Sequence, residues 1–342
     1  MINDIWNRTR PYIIAEISQN HDGSLGQAHA FIDAVADAGA DAVKFQTHIA
    51  EEESSVYEPF RVKFSYEDAT RFDYWKRMEF TPEQWQGLYD HATAAGLDFL
   101  SSPFSEKALD MLQTIGVPAW KFGAGEVFND RLLQKAIATG KPILLSTGLS
   151  TLGDIERQVE KIRENGNSFL LFQCVTAYPS TADMIDISQI TLLQRQFECA
   201  VGISDHSATI YPALAAVTLG ARAVEVHVTM SPYMFGPDVK ASVDISGLKQ
   251  IVEGTAFIAR MRAAKVDMTS RSESKEALKQ MFSKSLFAAR DIRVGETLSA
   301  DMVKAKKPNV GIDAERLPDL LGASFRRAVK QGEVIRTEDI GK

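Results

Sequence analysis

The stretch AVGISDHSATIYPALAAVTLGARAVEVH, residues 200–227, contains one strand–helix unit and the strand that follows it. Its two ends, Ala200–Ser204 and Ala223–His227, are short, apolar and β-branched, which is typical of buried strands. Between them lies a helical pattern that ends at Gly220, where a helix C-terminus favours a left-handed residue. The stretch therefore predicts one unit of a parallel α/β fold.

The same unit recurs along the chain. Eight apolar segments, each followed by a helical pattern, are predicted as strands: Tyr12–Ile17, Ala42–Phe45, Asp98–Ser101, Ala119–Phe122, Pro142–Ser146, Phe169–Cys174, Ala200–Ser204 and Ala223–His227. Eight such units predict a (β/α)8 barrel. An open, doubly wound sheet is the alternative, but no glycine-rich dinucleotide loop follows the first strand.

Two segments depart from this regular pattern. A long insertion around His48–Phe80 separates the second strand from the third. After Ala264 the chain becomes polar, and short strands and turns follow from Lys284, among them Leu317–Leu321 and Ala328–Ile335. We therefore predict a barrel domain over 1–265, a linker over 266–283 and a small β-rich domain over 284–342.

Composition excludes several classes of protein. A net charge of −7 over 342 residues argues against nucleic acid as the main partner. The two cysteines form no disulfide framework, no segment resembles a signal peptide, and no apolar run approaches the roughly 18 residues that span a membrane. We expect a cytoplasmic protein.

Chemistry in a (β/α)8 barrel sits at the C-terminal ends of the strands. Those ends carry two lysines and several hydroxyls, which together suit a phosphate and a carboxylate. They also carry two histidines on adjacent late strands, which suit a divalent transition metal. Each of these residues also has a structural explanation when it is considered singly. Glu16 could cap the helix after the first strand, and each serine could form hydrogen bonds with nearby backbone groups.

The residues at and around these ends resemble the sialic acid synthase family. The resemblance is carried by short motifs in the family's order: Ile14–Gly23 (IAEISQNHDG), Val43–Thr47 (VKFQT), Ser101–Ser105 (SSPFS), Lys121–Glu126 (KFGAGE), Leu145–Gly148 (LSTG), Ile203–His206 (ISDH), the Glu225/His227 strand and Gly236–Asp238 (GPD). The part from about Lys284 resembles the antifreeze-like (SAF) domain that ends these synthases. The resemblance covers nearly the whole chain.

The resemblance implies an enzyme that condenses phosphoenolpyruvate with an open-chain amino sugar, giving a nonulosonic acid and phosphate. It implies that phosphoenolpyruvate binds to Lys44, Ser102, Lys121, Ser146 and Ser204. His206 and His227 would hold a divalent metal, Mn²⁺ or alternatively Mg²⁺ or Co²⁺. The sugar would face Glu16, Gln46, Glu126, Tyr178 and Asp238. It also implies a homodimer in which each C-terminal domain covers the partner's barrel and places Lys307 near the partner's sugar.

Several positions depart from the family pattern. Ala124 replaces a phosphate-binding serine, Gln173 and Thr176 stand where many members have His and Asn, and Lys307 lies in a run that replaces one containing a sugar-contacting arginine. These departures leave the acceptor sugar open between N-acetylmannosamine, a 2,4-diacetamido hexose and another aldose. The alternatives are a related 3-deoxy-2-ulosonic acid synthase, a Schiff-base aldolase using Lys44 or Lys121, and a non-catalytic binding protein.

Overall fold

Eight parallel strands form a barrel sheet in the computed structural model, which describes residues 2–270 and 272–341. The order is β3-β2-β1-β8-β7-β6-β5-β4, and β3 lies beside β4, so the ring is nearly closed. The strands are β1 Tyr12–Ser18, β2 Ala42–Thr47, β3 Asp98–Pro103, β4 Trp120–Phe122, β5 Ile143–Ser146, β6 Phe169–Cys174, β7 Ala200–Asp205 and β8 Ala223–Thr229. The predicted barrel is confirmed.

Amphipathic helices follow the strands and bury their apolar faces on the sheet. They are α1 Leu25–Asp37, α2 Ala50–Glu53, α3 Arg71–Met78, α4 Pro82–Ala94, α5 Glu106–Ile115, α6 Asp130–Ile137, α7 Leu152–Glu164, α8 Ser188–Phe197, α9 Tyr211–Thr218 and α10 Ile245–Ala263. A two-residue strand, β9 Val243–Asp244, pairs with β8. Within the part of the chain that the structure describes, no helix has the length and apolar character of a membrane span.

The barrel interior is filled at its N-terminal end by apolar side chains. Tyr12 and Ile14 of β1 belong to this interior cluster, and Ile2 and Ile5 close it from below. Gly202 of β7 leaves room for the ring of Phe172, since a Cβ there would lie 2.9 Å from that ring and 2.7 Å from the carbonyl oxygen of Ala223. This packed layer forms the floor beneath the C-terminal mouth.

The insertion after β2 forms a small aromatic subdomain beside the mouth. It contains α2 and α3, and its buried residues include Tyr74 and Trp75. It packs on the β1–α1 loop at Gly23, whose φ of +72° and whose approach to the carbonyl of Arg77 both require glycine. The insertion therefore forms part of the wall of the cavity described below.

The chain divides into two compact units, Met1–Ala264 and Lys265–Lys342. The second unit contains α11 Glu273–Phe282, β10 Ser285–Ala288, β11 Val303–Lys306, α12 Leu317–Leu320, β12 Ser324–Phe325 and β13 Ile340–Gly341 around its own apolar core. Helix α11 lies inside the predicted linker. Leu317–Leu320 is one helical turn with Pro318 near its start, and Ala328–Ile335 joins its neighbours only through isolated bridges.

Candidate functional site

The predicted site residues continue the inward-facing rows of the barrel strands. Side chains alternate along a strand, so the residue two positions after an interior apolar residue also points inward. Ile14 is thus followed by Glu16, Ala42 by Lys44, and Ala119 by Lys121. The same alternation accounts for further buried polar residues at the strand ends: Ser102, Ser146, Ser204 and His227.

Lys44 and Glu16 form a buried ion pair between adjacent strands β1 and β2. The Nε2 amide of Gln46 donates a hydrogen bond to the other oxygen of Glu16, at 2.9 Å. Burial raises the pKa of Glu16 to about 7, although Lys44 acts in the opposite direction. Burial lowers the pKa of Lys44, but Glu16 and Glu225 outweigh it, so the net shift is upward. Lys44 is therefore a cation, and Glu16 can exchange a proton near neutral pH.

The second lysine lies across the barrel interior in its own polar cluster. Lys121 Nζ donates to Ser146 Oγ at 2.6 Å and lies 3.4 Å from Glu225 Oε1. Ser204 Oγ donates to the same glutamate oxygen at 3.0 Å. Burial lowers the pKa of Lys121, against the effect of Glu225. Burial would raise the pKa of Glu225, but Lys121 and Lys44 lower it to about 2.

Glu225 therefore interacts with both lysines: it lies beside Lys121, and its charge also raises the pKa of Lys44. Its Oε2 is buried and has no hydrogen-bond partner within residues 2–270 and 272–341. Two buried lysines and two buried carboxylates at one barrel end are an expensive arrangement for a purely structural role, since desolvation of each charge opposes folding. Such a cluster can hold a small polyanion, with the lysines as counter-charges and the serines as short-range donors.

His206 and His227 lie side by side at the same rim. Their ring centroids are 5.1 Å apart, and the ring of Tyr178 lies 4.1 Å from that of His206 and 5.7 Å from that of His227. Burial lowers the pKa of both histidines to about 3. His227 contributes to the lowered pKa of His206, and Lys44 contributes to that of His227. Both rings are therefore neutral at pH 7, the form that ligates metals.

The histidine pair fits a divalent metal ion. His206 Nδ1 donates to the carbonyl oxygen of Val175 at 2.7 Å, which leaves its Nε2 as an acceptor. His227 Nδ1 is buried without a hydrogen-bond partner among the residues described. No group of three or more His, Cys, Asp or Glu side chains in the described ranges is placed to hold a metal. An ion held by these two histidines would keep positions open for water or substrate.

A cavity of about 680 Å³ opens above this floor. Its lining includes predicted sugar-facing residues from different parts of the chain, namely Gln46, Glu126, Tyr178 and Asp238, together with His227. Ser18 donates to Asp238, whose other oxygen lies 3.4 Å from Arg61 of the insertion. The Arg61 guanidinium also lies over the Tyr178 ring, 4.1 Å from its centroid.

Five further positions, predicted or departing from the family pattern, are placed as follows. Ser102 of β3 pairs in register with Gln46 of β2 and is buried. Ala124 and Thr176 line the cavity, whereas Gln173 is buried beside His206. Lys307 belongs to the second unit, where its Nζ lies 5.2 Å from the ring centroid of Phe282. Its predicted role at a partner's site stays a prediction.

Glu225, His48 and Arg61 are among the cavity or cluster residues that were not predicted as site residues. Glu225 could have been found, because it continues the inward row of β8 two positions before His227. The sequence places His48, directly after β2, near the barrel mouth but does not indicate its role. Arg61 carries no signal, since it lies in an irregular segment of the insertion.

Comparisons with known proteins agree with this fold. The model of the NeuB family matches residues 31–267, and that of the SAF domain matches residues 283–341. The chain is 34% identical over 330 residues to N,N'-diacetyllegionaminic acid synthase of Campylobacter jejuni, covering 95% of this chain and 98% of that protein. It is 31% identical over 335 residues to pseudaminic acid synthase of Helicobacter pylori, covering 96% and 98%.

A solved structure matches as well. The N-acetylneuraminic acid (sialic acid) synthetase from Leptospira borgpetersenii, crystallised with citrate, superposes with a TM-score of 0.70 at 30% identity. The match covers 79% of this chain and 91% of that one.

Proposed function

This chain belongs to the NeuB family, and from that premise we propose that it condenses phosphoenolpyruvate with an aldose to give a nonulosonic acid and inorganic phosphate. The observation that carries the proposal is the buried cluster of Lys44, Lys121, Glu16 and Glu225 beneath a cavity lined by His227. A small polyanion fits the lysines, and an aldehyde-bearing sugar fits the cavity above them.

The two lysines bind the phosphate and carboxylate of phosphoenolpyruvate in this proposal. Ser146 accepts a hydrogen bond from Lys121, and Ser204 donates one to Glu225. Both hydroxyls can therefore rotate toward the incoming anion. Ser102 adds a third hydroxyl from β3. Burial strengthens each of these contacts, because the low local dielectric screens them little.

Bond formation joins C3 of phosphoenolpyruvate to the aldehyde carbon. A divalent ion on His206 and His227, with Mn²⁺ the first candidate and Mg²⁺ or Co²⁺ the alternatives, would supply positive charge that polarises the aldehyde oxygen. Water then adds at C2, and phosphate leaves by cleavage of the C2–O bond. Glu16, whose pKa burial raises, takes the proton that the water loses, and the oxygen of the former aldehyde gains a proton as it becomes a hydroxyl.

Tyr178, Asp238 and Glu126 orient the sugar in the proposed complex. Asp238 is fixed by Ser18 and Arg61, and Tyr178 is held between Arg61 and His206. A rigid wall of this kind favours one pose of the aldehyde relative to C3. The acceptor is an N-acetylmannosamine-like or diacetamido sugar, by analogy with the products named for the relatives. We place the reaction in the cytoplasm, which fits the two free cysteines.

The test is incubation of the protein with phosphoenolpyruvate, Mn²⁺ and a panel of aldoses, with released phosphate and the sugar acid both measured. The expected result is phosphate release that requires an aldose and stops on chelation. Mn²⁺ binding, measured separately by electron paramagnetic resonance, should show one site that His227→Ala removes. Binding of phosphoenolpyruvate and Mn²⁺ without turnover of any aldose would favour a non-catalytic binding protein.

A Schiff-base aldolase is the second candidate, because burial lowers the pKa of Lys121 as such a nucleophile requires. The Lys121 contacts with Glu225 and Ser146 favour an ammonium group instead. Borohydride trapping with a carbonyl substrate separates the two candidates, since only the aldolase forms a reducible imine.

A further inference from the structure

His48, directly after β2, is enclosed between two aromatic rings. Its ring centroid lies 3.9 Å from that of Trp75 and 4.3 Å from that of Phe104, and both pairs are nearly parallel. The side chain is 4% exposed. A histidine held this firmly between a helix of the insertion and the loop after β3 has one fixed ring orientation.

Both ring nitrogens of His48 face oxygen atoms. Nδ1 contacts Glu53 Oε1 of α2, and Nε2 lies 3.2 Å from Gln46 Oε1. The Gln46 oxygen faces His48 because the other end of the same amide donates to Glu16 at 2.9 Å. Gln19 Nε2 also donates to that oxygen, at 3.3 Å. A carbonyl oxygen only accepts, so Nε2 of His48 must carry a proton.

Glu53 anchors the ring on its other side. The Nδ1 atom contacts Glu53 Oε1, and both faces of the ring lie against aromatic rings. Two further titratable groups lie near it: Glu126 on the cavity wall and His21 of the β1–α1 loop.

We propose that His48, anchored by Glu53, is a positioning residue that donates from Nε2 to the Gln46 oxygen and so holds the Gln46 amide with its NH₂ on Glu16. A ring with a bare Nε2 would instead repel that oxygen and turn the amide over. Its oxygen would then face the carboxylate of Glu16. The inference rests on the proposed function, because Glu16 takes the water proton there and Gln46 lines the cavity that would hold the sugar.

The test uses two variants of the pair and one matched control. His48→Phe keeps an aromatic ring between Trp75 and Phe104 but removes both hydrogen bonds. Glu53→Gln keeps the length of the side chain but replaces the carboxylate that anchors Nδ1 by an amide. Glu51→Gln is the control: it changes the same helix, but Glu51 is 69% exposed and pairs with Lys76 at 3.2 Å.

Loss of one fixed hydrogen bond corresponds to about a tenfold change in an equilibrium or rate constant. We therefore expect both variants to lower kcat/KM for the sugar by about that factor. The KM for phosphoenolpyruvate should stay within about twofold, because Lys121 and Ser146 are untouched. Glu51→Gln should match the wild type. Wild-type kcat/KM in both His48→Phe and Glu53→Gln would overturn the proposal.

A measurement without turnover separates this inference from the proposed function. Nitrogen-15 NMR of histidine-labelled protein at the assay pH should show a protonated Nε2 on His48, assigned by the signals lost in His48→Phe. An unprotonated Nε2 in the wild type would overturn the inference even if the enzyme is active. A protonated Nε2 in a protein that turns over no aldose would support the ring assignment and refute the proposed function.

Discussion

Replacement of Lys121 by Met tests whether the lysine–glutamate cluster is held for binding rather than for stability. Lys121 is 1% exposed and lies 3.4 Å from Glu225, which is 5% exposed. At an effective dielectric constant of about 20 their attraction is about 5 kcal/mol. Removing one partner of a buried pair leaves the other charge uncompensated, so Lys121→Met should lower the unfolding free energy by about 3–5 kcal/mol.

The double variant Lys121→Met/Glu225→Gln removes both charges and should recover most of that loss. Denaturant unfolding followed by tryptophan fluorescence measures both stabilities. Phosphoenolpyruvate should raise the unfolding midpoint of the wild type but of neither variant, because both lack a phosphate counter-charge. The reasoning is refuted if the double variant is no more stable than Lys121→Met, or if phosphoenolpyruvate stabilises it as strongly as the wild type.

Three further outcomes are expected. Burial lowers the pKa of His21 to about 3 in the folded protein. As pH falls below about 6.5, His21 is protonated in the unfolded chain but not in the folded one, so the unfolding free energy decreases until the pH reaches about 3. His21→Phe should make unfolding free energy fall less steeply with acid, by about 1.4 kcal/mol per pH unit; an unchanged slope contradicts the burial argument. Ala124→Ser, on the cavity wall, should keep activity or lower the KM for phosphoenolpyruvate, and collapse of activity would show a pocket rebuilt around alanine. Inactive His227→Ala and Lys307→Glu chains should regain activity when co-refolded if each C-terminal domain serves the partner's barrel; a mixture of dimers that stays inactive refutes that assembly.

The barrel and the floor of the site could be predicted because both depend on local periodicity. A period of two fixes which strand residues point inward, so the strand that begins at Ala42 already implies that Lys44 faces the interior. The eight predicted strands agree with the observed ones to within two residues at each end. The helix α11 within the predicted linker was missed, because its exposed, polar sequence resembles an irregular segment.

The contacts between site residues could not be predicted in the same way, because they join segments far apart in the chain. Arg61 reaches Asp238 and Tyr178 only because the insertion folds back over the mouth. The segment of the insertion around Arg61 follows no strand or helix period, so its path depends on the packing of the aromatic residues of the insertion against each other.

Contacts between distant segments also give the polar residues at the mouth different chemical properties, as two glutamates show. Glu16 and Glu225 are both carboxylates at inward positions of adjacent strands, yet burial raises the pKa of Glu16, while Lys121 and Lys44 lower the pKa of Glu225. Sequence alone makes them equivalent. The difference arises because Glu225 lies near both lysines, whereas Glu16 pairs with one. One carboxylate is therefore left able to exchange a proton, and the other remains a fixed negative charge between the cations.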